Sequence, residues 1–444
     1  MNWRKFTIGE RARAFYLIAA AIAVSGLFKV AAFAREAFIA ARFGLSSVTD
    51  AYFAIQQFPL ALATYVFGAF SLAFVPAYVR SRKEDGTVDW LPGLLLWGSV
   101  TGLLLSAAMA AVRQPLVAVL HIRGSADVDL TVLILSVCFA PIVAIGLWAS
   151  ICTSRGHNLW AMSMTGLPYL LMTIALLAIY AAHRLNNLSL PLSMTLGFVS
   201  VGIYAAVRVL FSQPWGKPQL AVWRDAGFRS FLKQLAASSA ENAGFTANQF
   251  LILYFLSLGG AGIISGNTCA MRIAMLGFTL LGIPLQQLIQ AKLATASEAE
   301  RPLVFRRWMV RIAALLVPGA MLLMVLRAPL VRLVYMHGKF QQAALEIVVG
   351  LMPAWVIYAV VMSLNGALAR YLFLLGRGTV YVRMQLVAYV VANLIRVAVA
   401  GRMDAVWILW ASVIAEGLSF AVNLRFCLGA RAWQEEQAST VEVA

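Results

Sequence analysis

Apolar runs of roughly 20 residues recur along the whole chain, separated by short polar breaks. Each run is long enough to cross a hydrocarbon core of about 30 Å as a helix. The pattern predicts an all-α polytopic membrane protein with about twelve transmembrane helices. Their approximate limits are 13–41, 51–79, 91–112, 130–152, 159–182, 188–211, 231–258, 261–290, 308–334, 343–366, 378–399 and 405–427. The longest polar break is SQPWGKPQLAVWRDAGFRS, from Ser212 to Ser230, which holds two prolines, two glycines and several cations. It divides the chain into an N-terminal lobe, 1–215, a connection, 216–230, a C-terminal lobe, 231–430, and a short tail, 431–444. Six spans in each half predict two lobes built from a repeated unit. The first run, Phe15 to Ala41, continues into AREAFIAARFG with no small-residue cleavage site, so it reads as a span and not as a signal peptide.

Composition places the chain in the same class. It is 62% hydrophobic and 12% charged, where soluble domains carry about 25% charged residues. Its net charge of +17 is distributed by loop. One alternate set of loops holds Arg4, Lys5, Arg11 and Arg13; Arg80, Arg82 and Lys83; Arg155; Arg208, Lys217, Arg224, Arg229 and Lys233; Lys292, Arg301, Arg306, Arg307 and Arg311; Arg370, Arg377 and Arg383; and Arg425 and Arg431. The other set holds Arg42, Arg113, Arg123, Arg184, Arg327, Arg332, Lys339, Arg396 and Arg402. By the positive-inside bias the first set is cytoplasmic, and so are both termini. Cations spread over short loops between spans call for no nucleic-acid partner. The four cysteines, Cys138, Cys152, Cys269 and Cys427, lie in or beside apolar spans without metal or disulfide spacing. The four histidines, His121, His157, His183 and His337, fall singly in short loops. No HExxH, no GxxxxGK[ST] and no paired acidic motif is present. The expectation is a protein without cofactor, metal or catalytic residues, and not an enzyme.

The informative residues are the ionisable ones inside apolar runs. Lys29 and Arg35 both lie in the first span and Arg272 lies in the eighth. A cation at the bilayer centre costs about 2.5–3.5 kcal/mol on insertion scales, so it must face water, a partner or an anionic ligand. At ~1.5 Å per residue, Lys29 and Arg272 fall at similar depth in opposite halves, as a cationic pocket between two lobes requires. The competing reading is local neutralisation, with Lys29 paired to Glu36 on the same helix face. Arg35 is nearer the outer interface, where it could instead snorkel. Glu241 opens the seventh span in the polar-rich stretch AASSAENAGFTANQF, with Asn242 and Asn248 close behind. It suits either a proton- or cation-coupling site or a structural hydrogen bond. Asn393 and Glu416 read as packing or interface residues.

Three segments in order, LFKVAAFAREAFIAARFG, TDAYFAIQQFP and FGAFSLAFVP, resemble the MviN/MurJ family of the multidrug and lipid-linked oligosaccharide exporter superfamily. That family's pattern is S-R-x-x-G-F-x-R-[DE], then T-D-A-[FY] with a following Pro, then G-A-[FL]-x-x-[AV]-[FL]-[IV]-P. In the second half AMRIAMLGFTLLGIPL and RAPLVRLVYMHGKF are similar to the family's A-x-R-L-x-x-[FL]-P segment and to its loop ending in G-x-F. The resemblance implies two six-helix lobes around a central cationic cavity that alternates in access. It implies a flippase carrying polyprenyl-pyrophosphate-linked saccharides, chiefly lipid II, from the cytoplasmic to the outer leaflet of a bacterial inner membrane. Lys29, Arg35 and Arg272 then fall at cavity arginine positions and Asp50 at the aspartate of the T-D-A segment. Glu36 stands at the acidic position beside Arg35.

The chain departs from the family in three places. Lysine replaces the first cavity arginine, which keeps charge and loses the bidentate fork. The arginine pair of the second span is replaced by the cation-free LALATYVFGAF. The last two helices typical of lipid II flippases are also expected to be missing, because the sequence ends soon after Arg425. These departures make an exopolysaccharide or capsule repeat unit as fitting a cargo as lipid II. A drug or small-molecule exporter of the same superfamily is a second possibility, although cations in the cavity would repel cationic drugs. A non-transporting scaffold for polysaccharide assembly is a third, and it has no need of Lys29 or Arg272. Expected partners are the lipid-linked saccharide, the bilayer and proteins of polysaccharide or cell-wall synthesis.

The cation bias predicts topology directly. Reporter fusions at either terminus, at the Arg80–Lys83 loop and at the Ser212–Ser230 connection should all report the cytoplasm. Any of them reporting the outside would overturn the assignment.

Overall fold

The computed structural model describes residues 8–82, 88–122, 126–211, 224–277, 285–286, 289, 292–293, 296–375 and 377–441. Some side chains within them, including those before Ala23, that of Glu241 and those beyond Cys427, lie outside the description. Among the described residues the chain is all-helical, with no strand. In order the helices are α1 (Ile8–Phe43), α2 (Ser47–Ile55), α3 (Gln57–Tyr65), a π-helical turn (Val66–Phe70), α4 (Ser71–Ser81), α5 (Leu91–Ala111), α6 (Arg113–Val119), α7 (Ala126–Ser136), α8 (Phe139–Ser154), α9 (Asn158–Ala181), α10 (Ser189–Leu210), α11 (Ala226–Ser257), α12 (Ile263–Gly277), α13 (Arg301–Tyr335), α14 (Gln342–Leu374), α15 (Gly378–Val399) and α16 (Ala405–Val441).

Eight of the described segments are long and apolar enough to cross a membrane, or nine if the bent segment Ser47–Ser81 is one span. The expected count of about twelve is not reached among the described residues. The expected spans 13–41, 231–258 and 261–290 are the ones outside that set. They fall on α1, on α11 with its polar stretch, and on α12, which is followed by residues 278–284 outside the description. The second expected span is also not straight. Its two parts meet at 41° across the π-helical turn that includes Gly68. Helix kinks concentrate at such turns because the hydrogen-bond ladder slips by one residue.

The chain forms two compact units. Among the described residues, one comprises those within 8–39 and 46–246, the other those within 40–45 and 247–441. In the first, α8 is the buried centre, with Ile142, Ile145 and Ile151 fully enclosed. Small residues let its neighbours close on it. A Cβ at Gly102 of α5 would lie 2.8 Å from the Ala140 Cα, and one at Gly202 of α10 would lie 2.4 Å from the Pro141 Cβ. Close backbone approach of this kind is how apolar helices gain packing where no water drives association. In the second unit α14 is central. Val348, Met352, Leu368 and Leu372 are fully buried, and Phe305 of α13 stacks on Tyr371 at 4.3 Å between ring centroids.

Two boundaries differ from a simple halving of the sequence. Residues 216–223 of the expected connection lie outside the described residues, and the division between units falls inside α11 instead. The first part of that helix joins the N-terminal unit, where Phe231 stacks on Trp90 at 5.9 Å and packs edge-on to Phe70 at 5.4 Å. Its last part joins the C-terminal unit through Asn248. The end of α1 also belongs to the C-terminal unit. The Lys339 N–H donates to the Ala41 carbonyl at 2.7 Å. Gly338 adopts φ +62, and a Cβ there would come within 2.2 Å of the Ala41 oxygen. The glycine of the HGKF loop is therefore required twice, by its left-handed backbone and by its close approach.

Candidate functional site

The ionisable residues of the first span sit on a helix fixed against α9. The Phe28 ring covers Gly166, where a Cβ would be 2.0 Å from it. Thr173 Oγ1 donates to the Ala31 carbonyl at 3.2 Å, and Arg35 Nη1 reaches Met172 Sδ at 3.2 Å. Positions 28, 31 and 35 recur at helical spacing and therefore share one face of α1. Arg35 and Glu36 are 3% and 1% exposed, and Arg35 Nη2 donates to Glu36 Oε1 at 3.5 Å. Arg35 Nε is buried with no hydrogen-bond partner among the described residues. Arg35 thus lies inside the protein and does not snorkel to the outer interface. A buried cation beside a carboxylate cancels its net charge, while the unused donor leaves capacity for one more acceptor. Lys29 follows Phe28, so its side chain leaves α1 about 100° around the helix from that face. It is half-buried.

Asp50 is positioned by local sequence. Ser46 caps α2, with the Ser46 N–H donating to Thr49 Oγ1 at 2.9 Å and the Thr49 N–H donating to Ser46 Oγ at 3.4 Å. This reciprocal box starts the helix. It places the 6%-exposed Asp50 carboxylate in the first turn, where the positive end of the helix dipole stabilises it. The T-D-A-Y segment is therefore a helix start that carries a buried carboxylate.

In the C-terminal unit Arg272 is half-buried on α12, beside the buried Ala270, Ile273 and Ala274. The Glu241 side chain lies outside the described residues. The structure adds a buried polar core that the sequence reading left as packing. Glu416 Oε1 accepts from Asn365 Nδ2 at 2.7 Å and from Gln385 Nε2 at 3.1 Å. Asn423 Nδ2 donates to Asn365 Oδ1 at 3.0 Å, and Gln385 Nε2 also reaches the Tyr381 hydroxyl at 3.1 Å. Arg396, counted from sequence among the loop cations, is fully buried and donates to Asn248, Asn393, Ser412 and the Ile408 carbonyl. One signal pointed to this: Arg396 lies inside an expected span, one turn beyond Asn393. Its other partners lie on the following helix, at Ile408 and Ser412, and at the distant Asn248.

Of the expected site residues, the structure brings Arg35 and Glu36 together, and sets Asp50 on a separate helix of the same unit. Lys29 belongs to the N-terminal unit and Arg272 to the C-terminal unit. None of the described histidine, cysteine, aspartate and glutamate side chains cluster in a way that could hold a metal ion.

Comparison with known proteins sets these features in context. The family described as lipid II flippase MurJ matches residues 39–444. A probable lipid II flippase MurJ of Buchnera aphidicola subsp. Acyrthosiphon pisum is 25% identical over 332 residues, covering 70% of this chain and 64% of that protein. A lipid II flippase MurJ of Burkholderia cenocepacia is 25% identical over 349 residues, covering 73% of this chain and 67% of its own length. The chain thus spans about two thirds of the length of these curated relatives. Among solved structures, a lipid II flippase MurJ in an inward closed conformation has a TM-score of 0.81 at 17% identity, covering 93% of this chain and 87% of that one. An inward-facing multidrug transporter of the MATE family has a TM-score of 0.73 at 13% identity, covering 91% and 96%. At such identities the likeness is one of fold.

The burial of Arg35 with Glu36 has a measurable consequence. Glu36→Gln leaves a buried guanidinium without its carboxylate and should cost about 3–5 kcal/mol. The double change Arg35→Gln, Glu36→Gln removes both charges and should recover most of that loss. Thermal midpoints of the detergent-purified variants read both effects, and a Glu36→Gln protein as stable as wild type would contradict the pairing.

Proposed function

The chain belongs to the lipid II flippase MurJ family, and from that premise we propose that it carries a polyprenyl-pyrophosphate-linked saccharide across a bacterial inner membrane, from the cytoplasmic to the outer leaflet, by alternating access. It is a transporter with no chemical step. The single observation that carries this reading is the presence of cations within largely apolar helices in both halves of a chain of this family. Lys29, Arg35 and Arg272 are basic residues in apolar helices, and such residues are retained where they meet an anion or a water-filled path. A pyrophosphate is the matching ligand. Its charge is shared over several oxygens, and charge-assisted contacts to it are the strong kind.

In this reading Lys29 and Arg272 bind the pyrophosphate and Arg35 lends the donor that Glu36 and Met172 do not use. Glu36 holds Arg35 in place. Asp50 stands at a helix start as a carboxylate that can meet an amide or hydroxyl of the saccharide. Glu241 is the residue to test for coupling to a proton or sodium gradient, and both termini are cytoplasmic. Lipid II is the first cargo to test, because it is what the relatives are named for. The lysine at position 29 and the cation-free LALATYVFGAF favour testing an exopolysaccharide or capsule unit beside it. A drug exporter fits less well, since these cations repel cationic drugs.

The test is complementation of a strain depleted of its own lipid II flippase, with folded protein measured in parallel. Lys29→Gln and Arg272→Gln should each cut transport about tenfold or more, in line with a lost contact to a charged group of about 1.5–3 kcal/mol. Lys29→Arg keeps the charge and should be tolerated. Full activity of the double neutral variant would overturn the pyrophosphate reading. Failure of the wild type to complement would redirect the search to other lipid-linked saccharides.

A further inference from the structure

Arg396 is the most completely enclosed charge among the described residues, with no exposed surface. It forms no ion pair with any described acidic side chain; its partners are four neutral oxygens. Nη1 donates to Asn248 Oδ1 at 2.6 Å and to Asn393 Oδ1 at 2.6 Å, Nε donates to the Ile408 carbonyl at 3.3 Å, and Nη2 donates to Ser412 Oγ. These oxygens come from α11, α15 and α16, so one side chain ties three helices. The Asn393 amide is itself oriented, because its Nδ2 donates to the Tyr389 carbonyl at 2.8 Å and turns Oδ1 toward the guanidinium. Beside the cluster lies a small cavity of about 10 Å³, lined by Asn248, Tyr358, Tyr389, Ser412 and Glu416 among others, which is room for one water-sized particle.

Amide and carbonyl oxygens with a hydroxyl, converging from several helices on one positive centre, form the ligand set of a hard metal cation. Here the positive centre is covalently part of the chain. A guanidinium stays charged under all ordinary conditions. It cannot dissociate, and it cannot be exchanged for an ion from either side of the membrane. Burying it without a carboxylate is eased because four of its five N–H donors have acceptors in place.

We propose that the Arg396 guanidinium is a resident cation, occupying the place an exchangeable monovalent metal ion would take and making the packing of α11, α15 and α16 independent of added alkali ions. Removing it leaves converging oxygens beside a cavity, which is a site for a small monovalent cation. This holds whether or not the chain moves a lipid-linked saccharide, since it concerns the stability of the C-terminal unit alone.

The experiment is thermal unfolding of the full-length protein in detergent, with sodium chloride exchanged for choline chloride at constant ionic strength. The wild-type midpoint should be the same in both. Arg396→Ala should unfold at a lower temperature in choline and be raised by several degrees in sodium. If the alanine variant does not fold, Arg396→Gln carries the same test. Arg396→Lys keeps the charge and should stay indifferent to sodium even if its midpoint falls. A sodium response in the wild type or in Arg396→Lys would overturn the proposal, and so would its absence in the neutral variant.

Discussion

Charge in a hydrocarbon slab must be answered by the protein or by a ligand, and this constraint organises the molecule. Each ionisable group at depth has a different answer. Arg35 is answered by Glu36, its neighbour in sequence, at 3.5 Å. Glu416 is answered by two side-chain amides. Arg396 is answered by four neutral oxygens drawn from three helices. Lys29 and Arg272 are half-buried, one in each compact unit.

The same constraint explains what sequence could and could not reveal. Where apolar length alone sets an element, the expected and observed limits agree within a residue or two, as for 91–112 with Leu91–Ala111, 159–182 with Asn158–Ala181 and 188–211 with Ser189–Leu210. The bend after Gly68 was not legible, because a π-helical turn leaves hydropathy unchanged. Nor was the division inside α11, since it depends on which neighbours each part of the helix meets. Arg396 was hidden for a related reason. Its place near the end of an expected span suits an interfacial cation equally well, and Asn248 lies 148 residues away in sequence. Lys29, Arg35 and Arg272 stand out in the sequence because each lies well inside an apolar run.

The family's sequence segments acquire physical meaning in the fold. The serine before T-D-A-Y completes a capping box that sets a carboxylate in a first turn. The glycine of HGKF is pressed against the end of α1. That contact makes residues 40–45 part of the C-terminal unit, while the Lys29 and Arg35 turns of the same helix belong to the N-terminal one. One helix therefore contributes residues to both compact units.

The most direct measurement is binding of undecaprenyl pyrophosphate to purified protein, with undecaprenyl monophosphate as the comparison, followed by native mass spectrometry. Wild-type protein should hold the diphosphate lipid in preference to the monophosphate. The Lys29→Gln, Arg272→Gln protein, folded to the same extent, should lose that preference. Equal retention of the diphosphate lipid by both proteins would contradict the assignment of these cations to the cargo.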